Sequence, residues 1–338
     1  MTKTTQQTNI RPDWLAGVNE EVLEPELEAV DPHHHLWDHA ASTYLADDFL
    51  RDATPHGVTK SVFVECGSMY RPTGPEALRP VGETEFVEAI AQKIERGSKG
   101  CAVNAGIVGH ADLMLGDAVE AVFEAHLAAS PKRFRGIRHS AAWHASDSIR
   151  QSHSRPPAHM LTLKRFREGF ARLGKYGLSF DAWLFHSQLG ELLALARDFP
   201  EITIVLDHMG GPLGIGPYAG KRDEVFSDWA KSMEALARWE NVTVKLGGLQ
   251  MAISGFGWHH RSRPPTSAEL AEAVGPYYLH CIDHFGAHRC MFESNFPVDK
   301  VSCSYTVLWN AFKLLSLNYS ESDRMALFSG TAQRVYRL

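Results

Sequence analysis

The chain has 338 residues, of which 44% are hydrophobic and 22% charged, a balance that is ordinary for a globular protein with a sizeable core. Its 34 Lys and Arg residues against 40 Asp and Glu residues give a formal net charge of −6, which argues against nucleic-acid and anionic-lipid partners. No apolar run reaches the ~20 residues of a membrane span, and we expect residues 1–25 to form a polar leader, since they lack the apolar segment of a signal peptide.

From about residue 28, short apolar runs alternate with amphipathic stretches. The runs are rich in Val, Ile and Phe, as strands buried on both faces are, and they cover residues 28–35, 61–66, 101–108, 134–138, 178–185, 202–207, 242–246 and 290–294. Apolar residues recur at the helical period in residues 83–96, 117–129, 163–174, 188–199 and 226–239. Thr266 and Glu269 form a capping-box pattern that starts a further helix. This alternation predicts an α/β fold, a (β/α)8 TIM barrel in a single domain over residues 26–338.

The lengths of the predicted connections indicate which end of the barrel carries the site. Three strand-to-helix connections are long, covering residues 139–160, 209–222 and 247–265. In a (β/α)8 barrel these loops lie at the C-terminal face, where active sites are built. Most of the 18 histidines fall at predicted strand ends or in these loops. The sequence therefore predicts a site rich in acid, base and ligand groups at this face.

The cysteine pattern indicates a reducing compartment. There are five cysteines, an odd number, and they are scattered along the chain without CxxC spacing. We therefore expect reduced thiols in a cytoplasmic protein.

His33 and His35 stand at the end of the first predicted strand. Because side chains alternate along a strand, their imidazoles point to the same side, and His34 points to the other. Two imidazoles on one side can converge on one metal ion or one substrate oxygen. We therefore expect His33 and His35 to be functional.

Four segments of the chain carry specific motifs, namely DPHHHLWD (31–38), VLDHMGGP (205–212), MFESNFPVD (291–299) and LFSGTAQRVYRL (327–338). Together they resemble the amidohydrolase-2 branch of the amidohydrolase superfamily. The resemblance covers nearly the whole chain from about residue 28. It implies a (β/α)8 barrel that most often hydrolyses a small cyclic ester, in a family that also contains metal-dependent decarboxylases.

The same resemblance implies a set of metal ligands. His33 and His35 correspond to the family's first-strand pair, His186 to its fifth-strand histidine and His208 to its sixth-strand histidine. One zinc or manganese ion held by His33, His35 and His186 is therefore one expectation, and a metal-free site is the other.

The chain departs from the family at the eighth strand. Asn295 stands where most members have an aspartate that acts as general base and, in metal forms, as ligand. An amide cannot take a proton at neutral pH, and it is a weak metal ligand. We expect Asp299 to supply the lost carboxylate, with Glu293 and Glu65 as other candidates. The alternative for Asp299 is a solvated residue at a helix start, where acids are favoured.

Five further residues are candidates for substrate binding: Glu65, Arg138, His139, Trp183 and Lys245. A guanidinium at a strand end can bind a substrate carboxylate or carbonyl through two hydrogen bonds. For Glu65, Arg138 and Lys245 the alternative role is an ion pair inside the barrel, and for Trp183 it is packing against other side chains.

The predicted function is hydrolysis of a small lactone or a related cyclic ester by activated water. Asp299 or His208 would activate the water, while His33 and His35 would polarise the carbonyl with or without a metal ion. Arg138 would hold an anionic substituent of the substrate.

Two alternatives compete with this interpretation. One is a metal-dependent decarboxylase of an aromatic or muconate-type acid, against which Asn295 argues, because it weakens a metal site. The other is a catalytically inactive barrel that binds a small molecule, against which the four retained histidines argue. The predicted partner is a small-molecule substrate, with no nucleic acid and no membrane, and the family resemblance leans towards a homodimer.

Overall fold

The computed structural model describes residues 10–39, 42–97 and 100–338. The strands in this part of the chain are β1 (Ala29–His34), β2 (Trp37–His39), β3 (Ser42–Tyr44), β4 (Val58–Val64), β5 (Ala102–Gly109), β6 (Phe134–Ile137), β7 (Ser179–Ala182), β8 (Ile204–Leu206), β9 (Val242–Leu246) and β10 (Cys290–Phe292). The α-helices are α1 (Pro12–Leu15), α2 (Ala46–Ala53), α3 (Val81–Gly97), α4 (Glu120–Ala129), α5 (Lys164–Tyr176), α6 (Leu189–Asp198), α7 (Arg222–Ala237), α8 (Ser267–Phe285), α9 (Tyr305–Leu315), α10 (Glu321–Met325) and α11 (Thr331–Tyr336).

Eight of the described strands form a parallel barrel. Their order is β1-β4-β5-β6-β7-β8-β9-β10, and every neighbouring pair is parallel. The residues that follow β10 close the barrel against β1, through the hydrogen bonds from His35 N–H to Phe296 O (2.8 Å) and from Asn295 N–H to His33 O (2.9 Å). The predicted (β/α)8 barrel is confirmed, and each predicted apolar run overlaps one of its strands.

The pleat of the strands divides their side chains between two cores. Val30, Val62, Val108 and Met291 belong to one buried cluster together with Tyr336 of α11, which lies in the barrel interior. The alternating residues pack outward against the helices; the Phe180 ring of β7, for example, lies 5.2 Å from that of Phe170 in α5. Because both faces are buried, the strands contain few polar residues, and the polar ones mark the site.

The connections place the long loops at one end of the barrel. A helix follows each barrel strand, and the loops 139–160, 209–222 and 247–265 join β6, β8 and β9 to α5, α7 and α8. All three therefore lie at the C-terminal face, as predicted. The capping box of α8 is also confirmed, since Thr266 Oγ1 accepts from Glu269 N–H (3.2 Å) and the Glu269 carboxylate accepts from Thr266 N–H (2.8 Å).

Two elements were not predicted from the sequence. An antiparallel hairpin of β2 and β3 follows β1 directly. Residues 10–25 of the predicted leader contain α1 and contact the barrel helices, since Glu20 accepts from Ser267 N–H (2.7 Å) and Asn310 accepts from Leu23 N–H (2.9 Å). The first nine residues of the leader lie outside the described residues. Within the described part of the chain, no helix is both long enough and apolar enough to cross a bilayer.

Candidate active site

Three buried side chains meet at the C-terminal ends of β1, β8 and β10. His33 Nδ1 lies 2.7 Å from Glu293 Oε2, and His208 Nδ1 lies 2.5 Å from Glu293 Oε1. The two imidazole rings are 4.6 Å apart. One potential ligand atom from each residue falls within 4.8 Å of the other two. We call these three residues the His-His-Glu centre.

The local backbone explains how His208 reaches this centre. His208 follows β8 in the left-handed conformation, with φ +53°, which is uncommon for a residue with a side chain. Gly248, which follows β9, lies against its ring, and a Cβ at Gly248 would come within 2.4 Å of His208 Cγ. The approach of the imidazole therefore requires a glycine at position 248.

The carboxylate of the centre is ionised although it is buried. Burial of Glu293 opposes its ionisation, but the neighbouring His208 and His33 outweigh this effect and lower the pKa to about 2. Its Oε1 accepts hydrogen bonds from the ring and the backbone N–H of His208, and its Oε2 lies 2.7 Å from His33 Nδ1. The centre thus contains a carboxylate held between two imidazoles.

A buried ion network lies directly beneath the centre. Lys245 Nζ is 2.7 Å from Asp181, 3.0 Å from Asp207 and 3.2 Å from His33 Nδ1, and all four side chains are inaccessible to solvent. Tyr336 donates to the same Asp181 over 2.6 Å. Lys245 was considered for substrate binding or for an ion pair inside the barrel, and in the structure it forms the ion pair.

Arg138, at the end of β6, joins the network to the second barrel strand. Its Nε donates to Glu65 over 2.8 Å, and its Nη1 lies 3.3 Å both from Asp207 and from His33 Nε2. The guanidinium is only 5% exposed. It therefore has the internal acidic partners that were the alternative to substrate binding, and it contacts the centre through His33.

The charges at the barrel mouth do not cancel. Of the four buried carboxyl groups paired with Arg138, Lys245 or the two histidines, three have a lowered pKa: Glu65, Asp207 and Glu293. Neighbouring positive groups outweigh the effect of burial there, whereas burial raises the pKa of the fourth, Asp181. The three ionised groups stand against two buried cations, so a proton on a histidine or a bound divalent cation would compensate the excess negative charge. The donor set of two imidazoles and one carboxylate therefore fits a divalent metal ion.

The structure does not bring together the ligand set expected from the resemblance. Among the described residues, the group at the mouth that could hold a metal ion contains His33, but it has His208 and Glu293 in place of His35 and His186. His186 lies apart, with its Nδ1 3.3 Å from Leu213 N–H and its ring 4.8 Å from that of Tyr218, which lines a cavity of about 220 Å³ between the long loops.

His35 and His34 point as the alternation predicts. The His35 ring lies 5.0 Å from that of His33, and its Nδ1 donates to Val64 O over 2.8 Å. His34 points away, stacked on Phe49 at 4.1 Å. His35 therefore lies next to the His-His-Glu centre but is not one of its three potential ligands.

Asp299 is buried next to the residue that it was expected to replace. Its side chain is inaccessible to solvent, and its Oδ1 accepts from Asn295 Nδ2 over 2.9 Å. Burial raises the pKa of the Asp299 carboxyl well above its usual range, which favours the neutral acid over the carboxylate that a base needs. Its burial also contradicts the alternative of a solvated residue at a helix start.

The remaining substrate-binding candidates lie on opposite sides of the centre. The Trp183 ring meets the His208 ring edge-on at 4.9 Å, so it forms one wall. His139 is buried, with its Nδ1 accepting from Leu113 N–H over 3.2 Å. Glu65 pairs with Arg138 and also with His153, a loop residue that the sequence did not single out, at 3.1 Å from His153 Nε2.

From the sequence, Glu293 is named only as a second candidate for the base, and Asp207 is assigned no role. The sequence does contain a signal for both, since each is an acidic residue at the C-terminal end of a buried strand and within a family motif.

The chain is similar to known proteins over almost its whole length. The sequence profile of the family described as Amidohydrolase matches residues 30–338. The chain is 34% identical to the uncharacterized protein y4mH of Sinorhizobium fredii, over 93% of this chain and 99% of that protein. It is also 29% identical to an L-fucono-1,5-lactonase of Burkholderia ambifaria, over 91% of this chain and 95% of that protein.

Solved structures share the fold. An amidohydrolase of Burkholderia multivorans with bound zinc superposes with a TM-score of 0.71 at 24% identity, covering 92% of this chain and 99% of that one. A 2-pyrone-4,6-dicarboxylic acid hydrolase from Pseudomonas putida, described as putative, superposes with a TM-score of 0.62 at 17% identity, covering 92% and 98%. With its sequence matched over almost its whole length and its (β/α)8 barrel in place, the chain belongs to the amidohydrolase family, whose members are enzymes.

Proposed function

We propose that this protein is a hydrolase that opens a small lactone by attack of water on the ester carbonyl. The observation that carries the proposal is the ionised Glu293 carboxylate, held between His33 at 2.7 Å and His208 at 2.5 Å. Two relatives named L-fucono-1,5-lactonase, 29% and 25% identical to this chain, support an ester of a sugar acid as the first substrate class to test.

Glu293 replaces the missing aspartate as the base. Its carboxyl is two residues upstream of Asn295, and its lowered pKa of about 2 keeps it ionised at neutral pH. Its Oε2 can accept a proton from the attacking water, and the resulting carboxylic acid can return that proton to the ring oxygen that leaves. His208, which donates to Oε1, fixes the orientation of the carboxylate during both transfers.

The positive groups around His33 stabilise the charge that develops on the carbonyl oxygen. Arg138 lies 3.3 Å from one ring nitrogen of His33 and Lys245 lies 3.2 Å from the other, so the imidazole is fixed on both sides. Because all three groups are buried, their electrostatic effect on a tetrahedral oxyanion is stronger than it would be in water.

A divalent ion such as zinc or manganese fits this site as a cofactor. We propose His33, His208 and Glu293 as its ligands. When bound, such an ion polarises the ester carbonyl as a Lewis acid. The zinc in the Burkholderia multivorans amidohydrolase is consistent with this assignment.

The substrate is a small molecule that enters from the C-terminal face, where Trp183 flanks His208. An aromatic ring in this position offers a flat apolar surface to a sugar or a lactone ring. The cytoplasmic location and the homodimer stay predictions.

The test is turnover by the full chain on a panel of sugar 1,5-lactones, aromatic lactones and alkyl lactones. Acid release is followed with a pH indicator, with and without added zinc or manganese. The Glu293→Gln variant, prepared in the same way, separates enzymatic turnover from spontaneous hydrolysis. We expect turnover of at least one class. Inactivity across the whole panel in both metal states would contradict the proposal.

A further inference from the structure

A second group of potential metal ligands lies on the outside of the barrel, between α7 and α8. His280 and His284 are one helical turn apart on α8, so both project from the same face of that helix, and their rings are 4.3 Å apart. Glu234 of α7 faces them, with Oε1 3.9 Å from His280 Nε2 and 4.0 Å from His284 Nε2. These three residues form the helix-pair cluster.

The cluster is at the opposite end of the molecule from the His-His-Glu centre. Helices of a (β/α)8 barrel run antiparallel to its strands, and Glu234, His280 and His284 all lie in the C-terminal halves of their helices. The cluster is therefore near the N-terminal face of the barrel and shares no residue with the centre.

The surroundings hold the cluster in place and leave it accessible. The His280 ring lies 5.3 Å from the ring of Trp229 and 6.1 Å from that of Phe226, which restricts its rotation. Exposed fractions of 16% for His280, 41% for His284 and 46% for Glu234 allow an ion to enter from solvent. To bind an ion through Nε2, His280 would lose only one long hydrogen bond, the 3.3 Å contact with Ala230 O.

We propose that Glu234, His280 and His284 bind a divalent transition-metal ion of the zinc type, which links α7 to α8. Bonds of about 2.0–2.2 Å to zinc place tetrahedral ligand atoms roughly 3.3–3.6 Å apart, so closing the observed separations requires shifts of well under 1 Å. Two imidazoles and one carboxylate select zinc, nickel or copper over magnesium or calcium, which prefer oxygen ligands.

The distances favour metal binding over a simple ion pair. At 3.9 and 4.0 Å, the contacts of Glu234 are too long for hydrogen bonds, so its carboxylate is not saturated by the histidines.

The test compares zinc binding by the chelator-treated full chain with that of three variants, using calorimetric titration and elemental analysis after dialysis. His284→Ala and Glu234→Gln each remove one ligand at an exposed position. His288→Ala is the matched control, because it removes a nearby exposed histidine outside the cluster. We expect His284→Ala to bind one zinc ion per chain fewer than the wild type, or to bind it at least tenfold more weakly. Glu234→Gln should weaken the same ion, and His288→Ala should retain it.

Lactone turnover separates this proposal from the proposed function. His284→Ala should keep the wild-type rate, because the cluster is remote from the centre. Equal zinc stoichiometry and affinity in the wild type and His284→Ala would overturn the proposal. Equal loss in His288→Ala would also overturn it, as would displacement of the ion by millimolar magnesium.

Discussion

Oε1 of Glu293 accepts two hydrogen bonds from one residue, over 2.5 Å from the ring Nδ1 of His208 and over 3.2 Å from its backbone N–H. A single carboxylate oxygen therefore fixes both the ring orientation and the left-handed backbone of the residue at the end of β8. The arrangement also assigns the proton of His208 to Nδ1, because the carboxylate beside it can only accept.

Replacing Glu293 by Gln should lower kcat by about 100-fold or more, because general-base catalysis typically contributes at least that much. The substrate still meets the same walls, so KM should change by less than the rate does. Steady-state kinetics on the best lactone of the panel measures both. Glu293→Asp, which keeps the charge, should retain more activity than Glu293→Gln, and equal rates in the two variants would refute the role as base.

The neighbours His33 and His34 should differ in what they control. His33→Ala should reduce kcat/KM by about 100-fold or more, because it removes a group that stabilises the transition state. His34→Ala should instead lower the free energy of unfolding by about 2–4 kcal/mol, because it leaves a cavity beside Phe49 and removes the 2.9 Å hydrogen bond to Ser61. Lactone kinetics and urea denaturation of both variants check this contrast. Comparable kinetic losses in the two would disprove it.

Metal content should depend on His208 and not on His186. His208→Ala removes a member of the His-His-Glu centre, so protein purified without chelator should lose about one zinc or manganese ion per chain. His186→Ala should keep that ion, since His186 contacts Leu213 and Tyr218 instead. Elemental analysis of metal per chain measures the difference. Both variants are made in the His284→Ala background, so that an ion bound at the helix-pair cluster does not contribute. The opposite result would restore the ligand set expected from the resemblance.

Asp31 should make the protein less stable as the pH rises from about 4 to 6. Burial raises the pKa of its carboxyl from 3.8 to about 6, although hydrogen bonds from Ser294 and Tyr305 oppose the shift. The folded state therefore binds a proton that the unfolded state has already lost, and this contribution disappears above pH 6. Relative to the wild type, the free energy of unfolding of Asp31→Asn should rise by up to about 3 kcal/mol between pH 4 and pH 7. Urea denaturation at several pH values measures the difference, and a gap that does not grow with pH would contradict the assignment.

Lys245→Met should be strongly destabilising, by about 3–5 kcal/mol, because it removes the buried cation of Asp181 and leaves Asp207 with Arg138 alone. Tyr336→Phe removes only one hydroxyl from the same network and should cost less. Thermal and urea denaturation of the two variants compare these effects. An equal loss of stability would mean that packing, and not charge, holds the network.

The fold was predictable because hydrophobic patterning is local. Runs such as residues 242–246 are buried at every position, and β9 has the same bounds in the structure. The hairpin of β2 and β3 was not predictable in this way, since each of its strands has only three residues and contributes little to a periodic pattern. The contacts of residues 10–25 depend on groups nearly 250 positions away, such as the backbone carbonyl of Arg261, which accepts from Trp14 Nε1.

The site was predictable only in part, because its roles depend on pairings across the barrel. The alternation of the first strand correctly places His33 and His35 on one side. The sequence could not distinguish Glu293 from Asp299, since both are acidic residues near the end of one strand. Their difference arises from the folded surroundings: His33 and His208 lower the pKa of the Glu293 carboxyl, whereas burial raises the pKa of the Asp299 carboxyl.

The hydrogen bond from Tyr336 to Asp181 spans 155 residues, and Asp181 connects through Lys245 to His33. During synthesis, the ribosome must therefore release almost the entire barrel before the hydroxyl that completes this network is available. Until then Asp181, which pairs with Lys245, lacks the hydrogen bond from Tyr336. Partly synthesised chains therefore hold the imidazole of His33 less firmly. Catalytic competence should accordingly arise in one late step of folding and not accumulate gradually as the strands emerge.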